Sequence, residues 1–218
     1  MSKSAVSALF AILLLSFLPA CGGGGSDPVT VVTGLLGTAG CTASGIEDYA
    51  AVADAIVAEL QKTPVPSTLN VNVVVDGKTV VLNGTISEPG GNLADGFLVG
   101  DAAEVIITSF SVDGVVTGSA NLAFNFQSAT ALILAGNVQL TDGTCTVNLN
   151  GVNLTSDPTT DGYPSGAVVF ETTRSDDTLV GQISVTGTST GDVTASLNGG
   201  PELNFEIDLD TFEVNFFE

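Results

Sequence analysis

From Pro66 onward the chain alternates. Between residues 115 and 126, Val116, Gly118, Ala120, Leu122, Phe124 and Phe126 interleave with Val115, Thr117, Ser119, Asn121, Ala123 and Asn125. Successive side chains of an extended strand point to opposite faces, so the run has one apolar face and one wet face, a period no helix satisfies. Comparable runs recur at 69–75, 78–86, 104–112, 130–141, 144–150, 167–173, 178–187, 192–197, 203–209 and 212–217. Between them stand Asp76-Gly77, Asp113-Gly114, Asp142-Gly143 and Asn198-Gly199, residues that accept the left-handed backbone of tight hairpin turns. In the last pair of runs the apolar phase moves from Phe205, Ile207 and Leu209 to Phe212, Val214 and Phe216, which puts a turn at Asp210-Thr211.

One segment reads as a helix, over 45–62. Ile46, Tyr49, Ala50, Ala53, Ile56, Val57 and Leu60 recur at three and four and form a single stripe. Ser44 and Glu47 have the spacing of a capping box, and Thr63-Pro64-Val65-Pro66 ends the segment. One helix cannot cover about ten strands that each have an apolar face. The expected fold is therefore mainly β: a curled antiparallel sheet, as half-barrel, barrel or sandwich, with one N-terminal amphipathic helix. A transmembrane barrel is not expected, because the chain has no Trp and only two Tyr to build aromatic girdles.

Charge narrows the function. The 218 residues carry 24 acidic and four basic side chains, a formal net charge of -20, and no His. Without imidazole there is no Ser-His or Cys-His nucleophile and no His metal ligand. The acidic surface repels phosphate backbones, so nucleic acid is not a partner. Yet 44% of the residues are hydrophobic, enough for a core and too many for a disordered chain.

Residues 1–20 have one cation, Lys3, ahead of an apolar run from Ala5 to Leu18, too short to span a bilayer comfortably. The run closes on Leu18-Pro19-Ala20-Cys21. This resembles the lipobox of bacterial membrane lipoproteins, with an apolar residue at -3, a small one at -1 and Cys as first mature residue; Pro19 departs from the usual small or β-branched residue. The resemblance implies a signal peptide over 1–20, lipid on Cys21 and anchoring to the cell envelope through acyl chains. Gly22 replaces the Asp that retains some lipoproteins in the inner membrane, which favours the outer membrane of a Gram-negative host. Residues 21–28 form a Gly-rich tether, and 29–218 a single β-rich domain that opens on the β-branched stretch Val29 to Leu36.

With Cys21 lipidated, Cys41 and Cys145 remain. In an oxidising compartment they are expected to form a disulfide, which would stabilise the fold by roughly 4–5 kcal/mol on the chain-entropy model; two buried thiols are the alternative.

Three features invite a site. The long connection 87–101 holds Phe97, Leu98 and Val99, placed to flap over an open end and contact an apolar, lipid-like ligand, or else to tuck into the core. Asp157 and Asp161 share one loop, Asp176 and Asp177 mark a hairpin tip, and Glu206, Asp208 and Asp210 line one strand face. Oxygen-rich clusters of this kind suit calcium, although no EF-hand or nonapeptide spacing is present and a solvated acidic face explains them equally. Carboxylate pairs also suit glycoside hydrolysis, but a chain without Trp offers no sugar platform of that residue. Asn83-Gly84-Thr85 and Asn153-Leu154-Thr155 match the glycosylation triplet and read here as strand and turn. No organic cofactor and no enzymatic role is expected. The sequence points to an envelope protein with a structural or interaction role, partnered by the membrane and an envelope protein, with an apolar-ligand carrier as alternative.

Overall fold

A computed structural model describes residues 43–75, 77–89, 93–157, 163–208 and 214–216. The signal peptide, Cys21, the tether, Val29 to Leu36, Cys41, Asp76, Asp161 and the turn at Asp210-Thr211 lie outside the described residues.

Helix α1 (Ala43–Leu60) comes first. It begins and ends two residues before the expected limits, so Ser44 lies within the helix and not ahead of it. Its last turn tightens: the Gln61 amide donates to the Val57 carbonyl at 3.0 Å, and the Lys62 amide to Glu59 at 3.2 Å. The Lys62 ammonium meets both oxygens of the nearly buried Glu59 carboxylate at 2.6 Å, which keeps that charge paired.

Among the described residues eleven strands follow: β1 (Thr68–Val75), β2 (Lys78–Ser87), β3 (Ala102–Val112), β4 (Val116–Ser128), β5 (Ala131–Thr141), β6 (Cys145–Ser156), β7 (Ser165–Arg174), β8 (Asp177–Thr186), β9 (Thr190–Leu197), β10 (Glu202–Asp208) and β11 (Val214–Phe216). All belong to one antiparallel sheet in which every strand pairs with its neighbour in sequence. Among the described residues β1 and β11 bound the sheet and do not pair, so the fold is an open curl, neither a closed barrel nor a two-sheet sandwich.

Alternation decides which face is inside. Register puts Leu82, Phe110, Gly118, Leu140, Val147, Thr172 and Leu179 in one row across β2 to β8, and Leu82, Phe110, Leu140, Val147 and Leu179 are all buried. The buried stripe of α1, including Val52, Ile56 and Leu60, packs against β1, β2 and β3. Phe170 and Phe205, on distant strands, are equally buried and belong to the same core cluster, so the sheet itself bends around its own inner face.

The cause of that bend is local. Each of the five pairings from β2/β3 to β6/β7 contains a register shift, at Asn83/Gly84, Ile107/Phe110, Phe126/Ser128, Leu134/Gly136 and Val152/Thr155. An extra residue on one strand of a pair kinks it and increases twist. Gly136 shows why such sites reject side chains: its φ is +135°, and a Cβ would stand 2.2 Å from the Asn121 carbonyl oxygen.

The two ends of the curl differ. Tight turns gather at one rim, where Asp113 and Gly114 (φ 49° and 71°) and Asn198 and Gly199 (φ 51° and 68°) adopt the left-handed backbone expected of them. The opposite rim carries the longer connections, 88–101 and 157–164.

Candidate functional site

The wet face of the sheet is ordered in rows. Thr117, Thr141, Thr146, Thr173 and Thr178 are successive cross-strand partners from β4 to β8, beside the tight-turn rim. One step inward along the strands, Ser119, Gln139, Asn148, Glu171 and Val180 form the next row. Strands about 4.8 Å apart therefore present hydroxyl and amide groups at a fixed repeat.

Two hollows lie on this outer face and share Ser119 and Gln139. The first, about 580 Å³, spans β2 to β6 and is walled by hydroxyls of Ser109, Ser111, Thr117 and Thr146 with the amide of Asn83. Among the described residues no acidic or basic side chain lines it, although the chain carries 24 acids. The second, about 480 Å³, continues to β8; among the described residues Glu171 on β7 is its single charged wall residue, and Val169 on β7 and Val180 on β8 stand 39% and 44% exposed.

Part of the wall is already committed to the protein. The Asn83 amide reaches the Ser109 hydroxyl at 3.5 Å, Thr108 donates to the Asn83 carbonyl at 3.0 Å, and Thr141 donates to the Cys145 carbonyl at 2.6 Å. Ser111, Thr117, Ser119, Gln139 and Thr146 make no side-chain hydrogen bond among the described residues, so their donors and acceptors face solvent.

The rim beside the first hollow is stiff. Asp142 Oδ1 accepts from the Thr144 amide at 2.8 Å, the Thr144 hydroxyl at 2.7 Å and the Cys145 amide at 2.9 Å. Partial burial pushes this carboxyl up, but these donors together with its own backbone amide outweigh it and hold Asp142 below its ordinary value.

The residues singled out in the sequence are scattered. Phe97 is buried against Phe126, ring centroids 6.0 Å apart, whereas Leu98 and Val99 are 51% and 53% exposed. Their loop is pinned at its far end: the Gly100 amide donates to the Phe126 carbonyl at 2.6 Å, the Phe126 amide to Asp101 at 2.9 Å, and Asp101 Oδ2 accepts from the Leu98 amide at 2.6 Å. Asp157 follows β6, while Asp176 and Asp177 lie beyond the far end of the ten-residue β7. About 33 Å of strand separates them, so no single ion spans both. Asp177 also spends an oxygen on the Asn198 amide at 2.9 Å. Among the described residues no three acidic or cysteine side chains gather as a metal site. Cys145 is buried at the start of β6; its expected partner Cys41 is outside the described residues.

The hollows themselves escape sequence reading. Each outward Thr or Asn is visible in its strand, but the rows exist only through register. The chain matches no protein-family model, no curated protein and no solved structure.

Proposed function

We propose that this is a lipid-anchored cell-envelope protein whose β domain has a non-catalytic interaction role. The observation that carries the reading is that, among the described residues, the inner face holds Leu82, Phe124, Phe170 and Phe205, each 0–1% exposed, while the two hollows described above open outward. A domain built this way meets partners on its wet face. Anchoring rests on Leu18-Pro19-Ala20-Cys21, and among the described residues no helix is long and apolar enough to cross a membrane. A Cys41–Cys145 disulfide belongs to the same proposal, supported by the buried position of Cys145.

The rival reading, a carrier of an apolar ligand, draws on the exposed Leu98 and Val99. Native mass spectrometry of the purified protein separates the two. The interaction reading predicts that the only lipid mass is the covalent one at the N-terminus; a stoichiometric, non-covalent lipid adduct would favour the carrier.

A further inference from the structure

We infer that the outer face of β2 to β8 binds a linear, neutral glycan lying across the strands; this deepens the interaction reading above and rests on it. Four observations converge. The two hollows adjoin at Ser119 and Gln139 and together cross six interstrand steps, about 29 Å at the usual strand spacing. That is the form of a chain, and each hollow has the volume of an ordinary ligand site, roughly 300–1,000 Å³. Next, the chemistry of this face is that of sugar hydroxyl recognition: Ser111, Thr117, Ser119, Gln139 and Thr146 each offer both donor and acceptor, and among the described residues no other group engages them. A repeating array of groups that donate and accept matches a repeating polyol better than it matches a carboxylate, phosphate or ammonium ligand.

Charge then selects the class. A chain of net charge -20 repels polyanions at long range, and although it attracts polycations, Glu171 is the single carboxylate among the described lining of the two hollows with which they could pair. A neutral partner meets neither penalty. Finally, Val169 and Val180 supply exposed apolar contact at the β8 end, where the C-H faces of sugar rings would rest in a chain that has no Trp. The rigid turn at Asp142 and the hydrogen-bonded ladders fix the array beforehand, so little ordering cost falls on binding.

The test uses the full-length lipidated protein in a detergent without a sugar headgroup, titrated with cellohexaose, maltohexaose, laminarihexaose and mannohexaose, and with an alginate hexamer as the anionic probe. At least one neutral hexamer is expected to bind; Ser119→Arg and Gln139→Ala should each weaken it tenfold or more, with unchanged melting temperature, and Thr194→Ala on the distant β9 should leave it unaltered. Absence of binding by all four neutral probes, equal binding of alginate, or binding that survives Ser119→Arg overturns the inference. The mass of the N-terminal peptide in the same sample reports lipidation of Cys21, so failure of the glycan site is distinguished from failure of the anchoring on which it rests.

Discussion

Asp113 and Thr79, 34 residues apart, hold each other by two hydrogen bonds: the Thr79 amide donates to Asp113 Oδ1 at 2.7 Å, and the Asp113 amide donates to the Thr79 carbonyl at 2.9 Å. The same clasp recurs at the far side of the sheet, where the Thr178 amide donates to Asn198 Oδ1 at 2.7 Å and the Asn198 amide to the Thr178 carbonyl at 2.8 Å. In both, a left-handed turn residue ties its hairpin to the start of a strand that is not part of it. The clasps lock the rim beside the threonine row.

Asp113→Gly keeps the left-handed backbone and removes only the side-chain acceptor, so urea unfolding is expected to show a loss of about 1 kcal/mol. Asp113→Ala should cost about 1 kcal/mol more, because alanine tolerates positive φ poorly. Asp113→Asn should be close to neutral, since Asn198 makes the same clasp with an amide.

Asp142 gives the fold a pH dependence of known sign. Its folded value is depressed, so its contribution is complete above the unfolded aspartate value and is lost as pH falls through the folded one. Replacing it by Ala should cost about 1–2 kcal/mol at pH 7, and the gap between wild type and variant should close at strongly acid pH, as followed by urea melts across that range.

Gly118 leaves room for a ring. A Cβ there would lie 2.5 Å from Phe110 Cζ and 2.2 Å from the Gln139 carbonyl oxygen, so the buried ring and the ladder carbonyl would both have to shift. Gly118→Ala is expected to destabilise by about 1–3 kcal/mol in thermal or urea unfolding.

Thr172 works in the opposite direction. It is fully buried between the cross-strand partners Val147 and Leu179, and among the described residues its hydroxyl has no hydrogen-bond partner. Thr172→Val removes the unsatisfied group at nearly constant shape, and a gain of about 1 kcal/mol in unfolding free energy is expected.

The strands, the helix stripe and the turns at Asp113-Gly114 and Asn198-Gly199 were legible in the sequence because each rests on a local rule: period two, period three to four, or tolerance of positive φ. The wet-face rows were not. Whether Thr141 stands opposite Thr117 and Thr146 depends on hairpin register, and bulges such as Phe126/Ser128 and Leu134/Gly136 shift that register within the same strand pairs without an unambiguous mark in the residues. Gly136 marks one such site, yet glycine in a strand has other uses. For the same reason Phe97, Leu98 and Val99 read as one apolar group, whereas the tight turn closed by Asp101 buries the first and exposes the other two. Asp192 and Glu206, directly opposed on the wet face of β9 and β10, are likewise invisible until the strands are aligned.

The account stands on attachment of this outward-facing sheet to a membrane, and the mass of the mature N-terminal peptide from protein expressed in a bacterium tests it most directly. A peptide that begins at Cys21 and carries a diacylglyceryl group, lost in Cys21→Ser together with membrane sedimentation, is the result expected. A mature chain that begins elsewhere, or one that begins at an unmodified Cys21 and stays soluble, would contradict it.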